Sequence, residues 1–327
     1  MDHYIHGKIG LCAKAGIGRY QSGLLIERPN VTVDDFRWAA EQCRHRCNQL
    51  AFGGRGDPDQ HECFEELLRI SREYDLVPNF TTSGYGMTPV IAALCKRYCG
   101  AVAVSWYHSE YTTGAIRMLH DAGVKTNIHY VLGNNSIDEA IRRLRDDNFP
   151  KGINAVIFLL HKSGGQETQA NVLSVEDARV AEFFLEFDRA HPFKVGMDSC
   201  TGRDAIRHCR NVLPESLDTC EGGRFSCYVG PDMLMVPCSF DQEKVYRISA
   251  CGRPRGGPEH RGGLELGVLR ALPLAYARLV PGLLQAGLLH GRLPAHARNR
   301  ALRRRCEANG KGDRHEDSCG LCHQLEQ

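Results

Sequence analysis

The chain is predicted to be an α/β protein, a partial (β/α)6 TIM-like barrel followed by a small cysteine-bracketed hairpin and a poorly ordered tail. Three observations predict it. From Lys8 to about Cys209, short apolar runs rich in β-branched residues alternate with stretches of helical period. After Asn211 the alternation stops and cysteines bracket a short turn sequence. From Cys251 to Gly310 the composition collapses, with no Ser, Thr, Asp, Lys, Ile, Met, Phe or Trp.

In chain order, the predicted strands are Lys8–Cys12, Asn48–Gly53, Val77–Thr82, Ala101–Trp106, Lys125–Val131, Asn154–Leu160 and Phe193–Met197. Helices are predicted between them at Val33–Cys47, Gln60–Tyr74, Thr88–Tyr98, Thr112–Ala122, Ser136–Asp147 and Ser174–Ala190. Ser136 followed by Glu139 reads as a capping box, and Glu176 and Asp177 put acid at a helix start. Repeated βα units with continuous apolar strands imply a parallel sheet covered by helices, with its chemistry at the C-terminal strand ends. A hairpin is expected from Arg224–Val229 and Leu234–Pro237 around Gly230-Pro231-Asp232. The expected domains are 1–212, 213–245 and 246–327.

Bulk properties narrow the function. There is no run of about 18 apolar residues to span a membrane, and Met1–Gly10 has no apolar signal core, so a cytoplasmic protein is expected. The net charge of +2 argues against a dedicated nucleic-acid binder. Fifteen cysteines in a reducing compartment point to metal or cluster ligation rather than a disulfide framework. Cys95 and Cys99 lie in a helical pattern and are expected to be small buried residues.

The second predicted strand ends in Gly53-Gly54-Arg55-Gly56-Asp57-Pro58. Glycines there let a ligand approach the backbone, although a tight βα turn has the same composition. Other strand-end groups, Thr81 to Gly84, Ser105, Asn127, His129, Asn134 and Asn135, face either a nucleoside or substrate or their own loops. His161 and Lys162 end the sixth strand and are candidates for substrate contact.

The tail carries a second pattern. Leu279 to Leu302, back-translated and read one base later, is compatible with C-P-G-C-S-K-R-A-C-C-M-G-G-C-P-L-M-P-E-I-V-L. That translation contains C-x2-C-x5-C-x3-C, a spacing suited to iron–sulfur ligation. Its cysteine codons would straddle Val280/Pro281, Leu283/Leu284, Leu289/His290 and Leu293/Pro294. The tail therefore reads as frameshifted and disordered. A basic linker or nucleic-acid arm is the other reading, and arginine without lysine or interleaved aromatics suits it poorly. Cys319-x2-Cys322 has zinc-like spacing without a second pair in its segment.

Taken together, these residues resemble radical SAM enzymes with a C-terminal SPASM (auxiliary iron–sulfur cluster) domain. Gly53-Gly54-x-Gly56-Asp57-Pro58 is similar to the glycine-glycine-glutamate-proline motif, with Asp57 in place of glutamate. Cys220, Met233 (usually glycine in the family) and Cys238 resemble the opening of a SPASM domain, and the shifted cysteine run its continuation.

The resemblance implies that Gly53, Gly54, Gly56, Asp57, Pro58 and Ser105 bind S-adenosylmethionine, and that Cys220 and Cys238 begin auxiliary-cluster ligation. It implies a [4Fe–4S] cluster, a peptide or small-protein substrate from which hydrogen is abstracted, and an electron donor such as flavodoxin or ferredoxin. The family's C-x3-C-x2-C loop is absent: Cys12 takes the first ligand place, and the next two fall on Gly16 and Arg19. That loop is expected either upstream of Met1 or lost. Cys43-x3-Cys47 lies on the helix before the glycine loop, at the wrong end of the strands. The alternative is a non-catalytic peptide- or nucleotide-binding barrel. An aldolase or metal-hydrolase barrel would need a Schiff-base lysine or a His/carboxylate cluster at the strand ends, for which there is little support.

Overall fold

A computed structural model describes residues 30–53, 56–162 and 169–212, most of 217–241, and 249–250. The chain divides into two units, Met1–Tyr276 and Ala277–Gln327, and all described residues belong to the first. The predicted strand Lys8–Cys12 and the tail beyond Ala250 lie outside the described residues.

Six strands form one parallel sheet in sequence order: β1 Gln49–Phe52, β2 Val77–Thr82, β3 Val102–Ser105, β4 Thr126–Leu132, β5 Ala155–Leu160 and β6 Lys194–Met197. The helices are α1 Val33–Cys43, α2 Phe64–Glu73, α3 Pro89–Tyr98, α4 Glu110–Asp121, α5 Ile137–Arg145, α6 Ala178–Phe187 and α7 Gly202–His208. This is the predicted parallel α/β architecture, a partial TIM-like sheet.

The sheet has two unlike faces because strand side chains alternate. Phe52 and Phe80, paired in register, meet Phe36 of α1 and Phe64 of α2 edge-on at 5.4 and 5.3 Å. Tyr130 and Phe158 are likewise paired, and Phe158 packs on Phe183 of α6 at 4.9 Å. This helix-covered face holds the core. The alternate residues Asn79, Thr81, Ser105, Asn127 and His129 share the inner face with Ala103, Ala155 and Ile157.

Helix boundaries differ from expectation where side chains found other partners. The helix predicted to reach Cys47 ends at Cys43, because the backbone turns left-handed at His45 (φ 61°). The first turn predicted at Gln60 is a separate 3-10 turn, Pro58–Gln60, and α2 starts at Phe64. Thr88 and Ser109 cap α3 and α4, accepting from Ile91 N and Thr112 N.

The capping box at Ser136 does not form. Its hydroxyl accepts from Gly133 N (2.9 Å) and donates to Val131 O (2.8 Å), and Glu139 is drawn to Tyr130 and His108 instead. Asp177, not Ser174, caps α6 through Arg179 N at 2.9 Å. Helix α7 was not anticipated.

The hairpin is real but shorter than expected: β7 Tyr228–Val229 pairs antiparallel with β8 Leu234–Val236. An unforeseen third strand, β9 Ser249–Ala250, pairs with β8.

Candidate functional site

Gly53 follows β1, and Gly56, Asp57 and Pro58 are all three buried. Gly54 and Arg55 lie outside the described residues. Asp57 reaches across to the end of β2: Oδ1 accepts from Ser83 N at 2.9 Å and Oδ2 accepts from the Ser83 hydroxyl. That hydroxyl also accepts from Tyr85 N (3.2 Å), while Thr82 Oγ1 accepts from Gly84 N (3.0 Å). Gly84 has φ +86°, and a Cβ there would lie 2.7 Å from Tyr111 O, so only glycine fits between this loop and α4.

Asp59 sits in the same loop, buried, with Oδ1 unpartnered and Oδ2 accepting from Gln60 Nε2 at 3.1 Å. Burial, reinforced by the Asp57 charge, pushes its carboxyl up to about 7. His61 is also buried. Cys63 N–H donates to its Nδ1 (3.0 Å), so Nε2 carries the proton and faces Val31 O at 3.3 Å. Burial holds His61 below the usual imidazole range. No sequence pattern singled out Asp59; its signal is desolvation, which appears only once the loop has folded.

On the inner face, a polar chain runs across the strands. Asn79 Nδ2 donates to Gln49 Oε1 (2.8 Å), and Asn154 Nδ2 donates to Asn127 Oδ1 (2.7 Å). Thr81 Oγ1 lies 3.1 Å from His129 Nδ1, and Ser105 stands in register beside His129. Protein atoms crowded around the His129 ring push its pKa down to about 4, so it is neutral at physiological pH. Of the predicted site residues, Gly53, Gly56, Asp57 and Pro58 follow the C-terminal end of β1 and Ser105 ends β3. Tyr85 and Tyr111 form an aromatic pair, 4.9 Å between centroids. Asn134 and Asn135 are instead used by the loop: Asn134 Nδ2 donates to Ala170 O (3.1 Å) and Asn135 N donates to Asn171 Oδ1 (3.0 Å).

At the ends of β5 and β6, Lys162 Nζ pairs with Asp198 at 2.7 Å, and Phe240 from beyond the hairpin covers the ammonium at 4.8 Å. Burial works to lower Lys162, but Asp198 and Cys200 together hold it above its ordinary range. His161 is buried beside it with Nε2 unpartnered. Asp198 and Phe240 were missed from sequence because the partners are far apart in the chain.

Cys220 and Cys238 are exposed thiols flanking the hairpin. Gly222 packs its segment against Pro237, where an added Cβ would stand 2.9 Å from Pro237 O and 3.5 Å from Cys220 Sγ. Among the described residues no group of three or more His, Cys, Asp or Glu side chains could hold a metal ion. Cys12 lies outside them. The described residues therefore do not assemble the three or four thiolates that a [4Fe–4S] cluster needs. No helix among the described residues is long and apolar enough to cross a membrane.

No family model matches the chain, and no curated protein matches it in sequence. Solved structures share its fold. anSMEcpe with bound AdoMet and the Kp18Cys peptide superposes with a TM-score of 0.52 at 15% identity, over 69% of this chain and 71% of that one. SuiB of Streptococcus suis bound to S-adenosylmethionine gives 0.54 at 13% identity, over 68% of this chain and 57% of that one. SuiB bound to its precursor peptide SuiA gives 0.50 at 12%, over 66% and 54%. The partial barrel of this chain is the fold they share. The chain spans little more than half the length of SuiB.

Proposed function

We propose that this chain is a radical SAM/SPASM-type protein that binds S-adenosylmethionine against the inner face of the sheet, beside the loop after β1. A peptide or small-protein segment would lie across the strand ends. The observation that carries this reading is the unlike pair of sheet faces: one is packed with phenylalanine against helices, the other carries Thr81, Ser105, Asn127 and His129. Support also comes from the fold shared with two enzymes solved with S-adenosylmethionine and with peptides.

In this reading the Gly53–Pro58 loop holds the amino-acid end of the ligand and Ser105 the nucleoside. His129, neutral, offers a hydrogen bond rather than a charge. Lys162 and His161 meet the peptide. In the family, S-adenosylmethionine together with a [4Fe–4S] cluster supplies a 5′-deoxyadenosyl radical that abstracts hydrogen from the substrate. Without C-x3-C-x2-C, the polypeptide as written binds without generating that radical. An electron donor such as flavodoxin or ferredoxin belongs to a cluster-loaded form, and the setting is the cytoplasm. The domains follow as 1–212 for the barrel and 213–245 for an incomplete SPASM-type segment, in which Cys220 and Cys238 are two of the ligands of a cluster left unfinished.

Titration calorimetry with S-adenosylmethionine, paired with anaerobic iron and sulfide reconstitution, tests this. Saturable binding with no absorbance near about 400 nm is expected. Absence of binding would defeat the reading, and a coloured protein that releases 5′-deoxyadenosine would defeat its non-catalytic part.

A further inference from the structure

A cavity of about 540 Å³ opens on the helix side of the sheet, away from the face that carries Ser105 and His129. It is bounded by His108 from the loop after β3, Asn135 from the loop after β4, and Glu139, Arg142, Arg143 and Asp146 along α5 and its end. Its wall is held from beneath. The hydroxyl of Tyr130, a residue 2% exposed, lies 2.9 Å from Ser136 O and 3.2 Å from Glu139 Oε2. Glu139 also accepts from Arg143 Nε, and His108 Nε2 stands 3.0 Å from it. Arg143 in turn lies 4.8 Å above the Trp106 ring and donates from Nη1 to Asn148 O at 2.7 Å. His108 holds its place with a left-handed backbone, φ 59°, which a non-glycine residue keeps only where its surroundings fix it.

The bonds already made decide what the cavity can hold. Burial works to raise Glu139, but Arg143, His108 and Tyr130 together hold it below the usual carboxylate range, so it is ionised and its oxygens are engaged. Arg143 uses Nε and Nη1 on the protein and keeps Nη2. Among the described residues Arg142 makes no ion pair or side-chain hydrogen bond, and the Asn135 side chain is likewise unengaged. The groups left to a ligand are therefore mostly donors, and they include two guanidiniums of which Glu139 balances one.

Arg142 and Arg143 are successive residues, about 100° apart around α5, and both border the cavity. Guanidiniums that approach from two directions suit a tetrahedral oxyanion, and their forked donors match phosphate oxygens. Asp146, one turn beyond Arg142, has no ion-pair partner among the described residues. It repels an anion at that end of the cavity and accepts from hydroxyls. We propose that the cavity binds a small phosphate monoester, with its phosphate between Arg142 and Arg143 and a hydroxyl-bearing remainder toward Asp146. The volume falls within the about 300–1,000 Å³ typical of small-molecule sites. The site is independent of the S-adenosylmethionine reading, because the two share no residue.

Trp106 supplies a local signal. The full chain has two tryptophans, Trp38 and Trp106, so Trp38→Phe leaves emission from the ring beneath Arg143 alone. Glycerol 3-phosphate, inorganic phosphate and glycerol are titrated into that protein at constant ionic strength. A saturable change in emission is expected with both phosphates, at lower concentration with glycerol 3-phosphate, and none with glycerol. Adding Arg142→Ala is expected to raise the half-saturating concentration by about tenfold. Arg142 is exposed, so its urea unfolding midpoint is expected to stay unchanged, which separates lost binding from lost fold. No saturable response to either phosphate, or one that Arg142→Ala leaves unchanged, overturns the proposal. Equal affinity for the two phosphates overturns the place given to Asp146.

Discussion

Asp59 shows how a single residue acquires properties its neighbours in sequence do not announce. Its carboxyl is buried with one oxygen unpartnered, beside the Asp57 charge, and is pushed from 3.8 up to about 7. The folded chain therefore holds this proton more tightly than the unfolded chain does. Its stabilising contribution is full below about pH 4 and is lost as pH rises through about 7. His129, pushed down to about 4, acts in the opposite sense: its folded form binds fewer protons, so stability is lost as pH falls toward 4. The two overlap in the wild-type profile, so the comparison with Asp59→Asn isolates the first. Asp59→Asn is expected to raise stability at pH 8 by a few kcal/mol, on the order set by about 1.4 kcal/mol per pKa unit, and to leave it nearly unchanged at pH 4. Urea unfolding at both pH values checks this. An equal effect at the two would mean that the carboxyl titrates normally.

At the scale of elements, the hairpin explains a departure noticed in the sequence. Met233 occupies the place where glycine is usual in the resembling family, and the backbone there is left-handed, φ 59°. A side chain in that conformation costs about 1–2 kcal/mol relative to glycine. Met233 N donates to Gly230 O (2.9 Å) and Gly230 N donates to Leu234 O (3.0 Å), so the strained residue closes the turn between β7 and β8. Met233→Gly is expected to stabilise the hairpin by about 1 kcal/mol. Slower hydrogen exchange at the Gly230 amide would register it, and unchanged exchange would show that the turn bears no strain. The larger elements behave similarly: helix ends moved wherever a side chain found a better partner, as Ser136 did with Val131 and Gly133.

For the whole molecule, the central question is whether its two cysteine segments belong to one cluster-binding design. Cys220 and Cys238 flank a hairpin at which no group of three or more metal-ligating side chains gathers among the described residues. The shifted translation of 279–302 would supply five more cysteines, four of them in the C-x2-C-x5-C-x3-C spacing. A protein made from a message shifted by one base near codon 250 is expected to take up an auxiliary cluster and to absorb near about 400 nm after reconstitution, unlike the chain as written. Resequencing the coding DNA over that region, together with the spectrum of the shifted protein, checks this. A colourless shifted protein would remove the support that the hidden cysteines lend to the resemblance.

What the sequence determined by itself is the order and kind of the βα units, because strand and helix periodicity are local and six strands recur where apolar runs recur. It also determined the glycine loop at a strand end and the cysteine-bracketed hairpin, since glycine spacing and turn residues are local too. Only the tertiary structure decided which face of each strand turns away from the helices, since that depends on Phe52, Phe80 and Phe158 claiming the helix side. It alone decided that Asp57 answers to Ser83, 26 residues away, that Lys162 answers to Asp198, 36 away, and that Asp59 is desolvated. Those properties arise from distance and dielectric after folding, and no spacing along the chain encodes either.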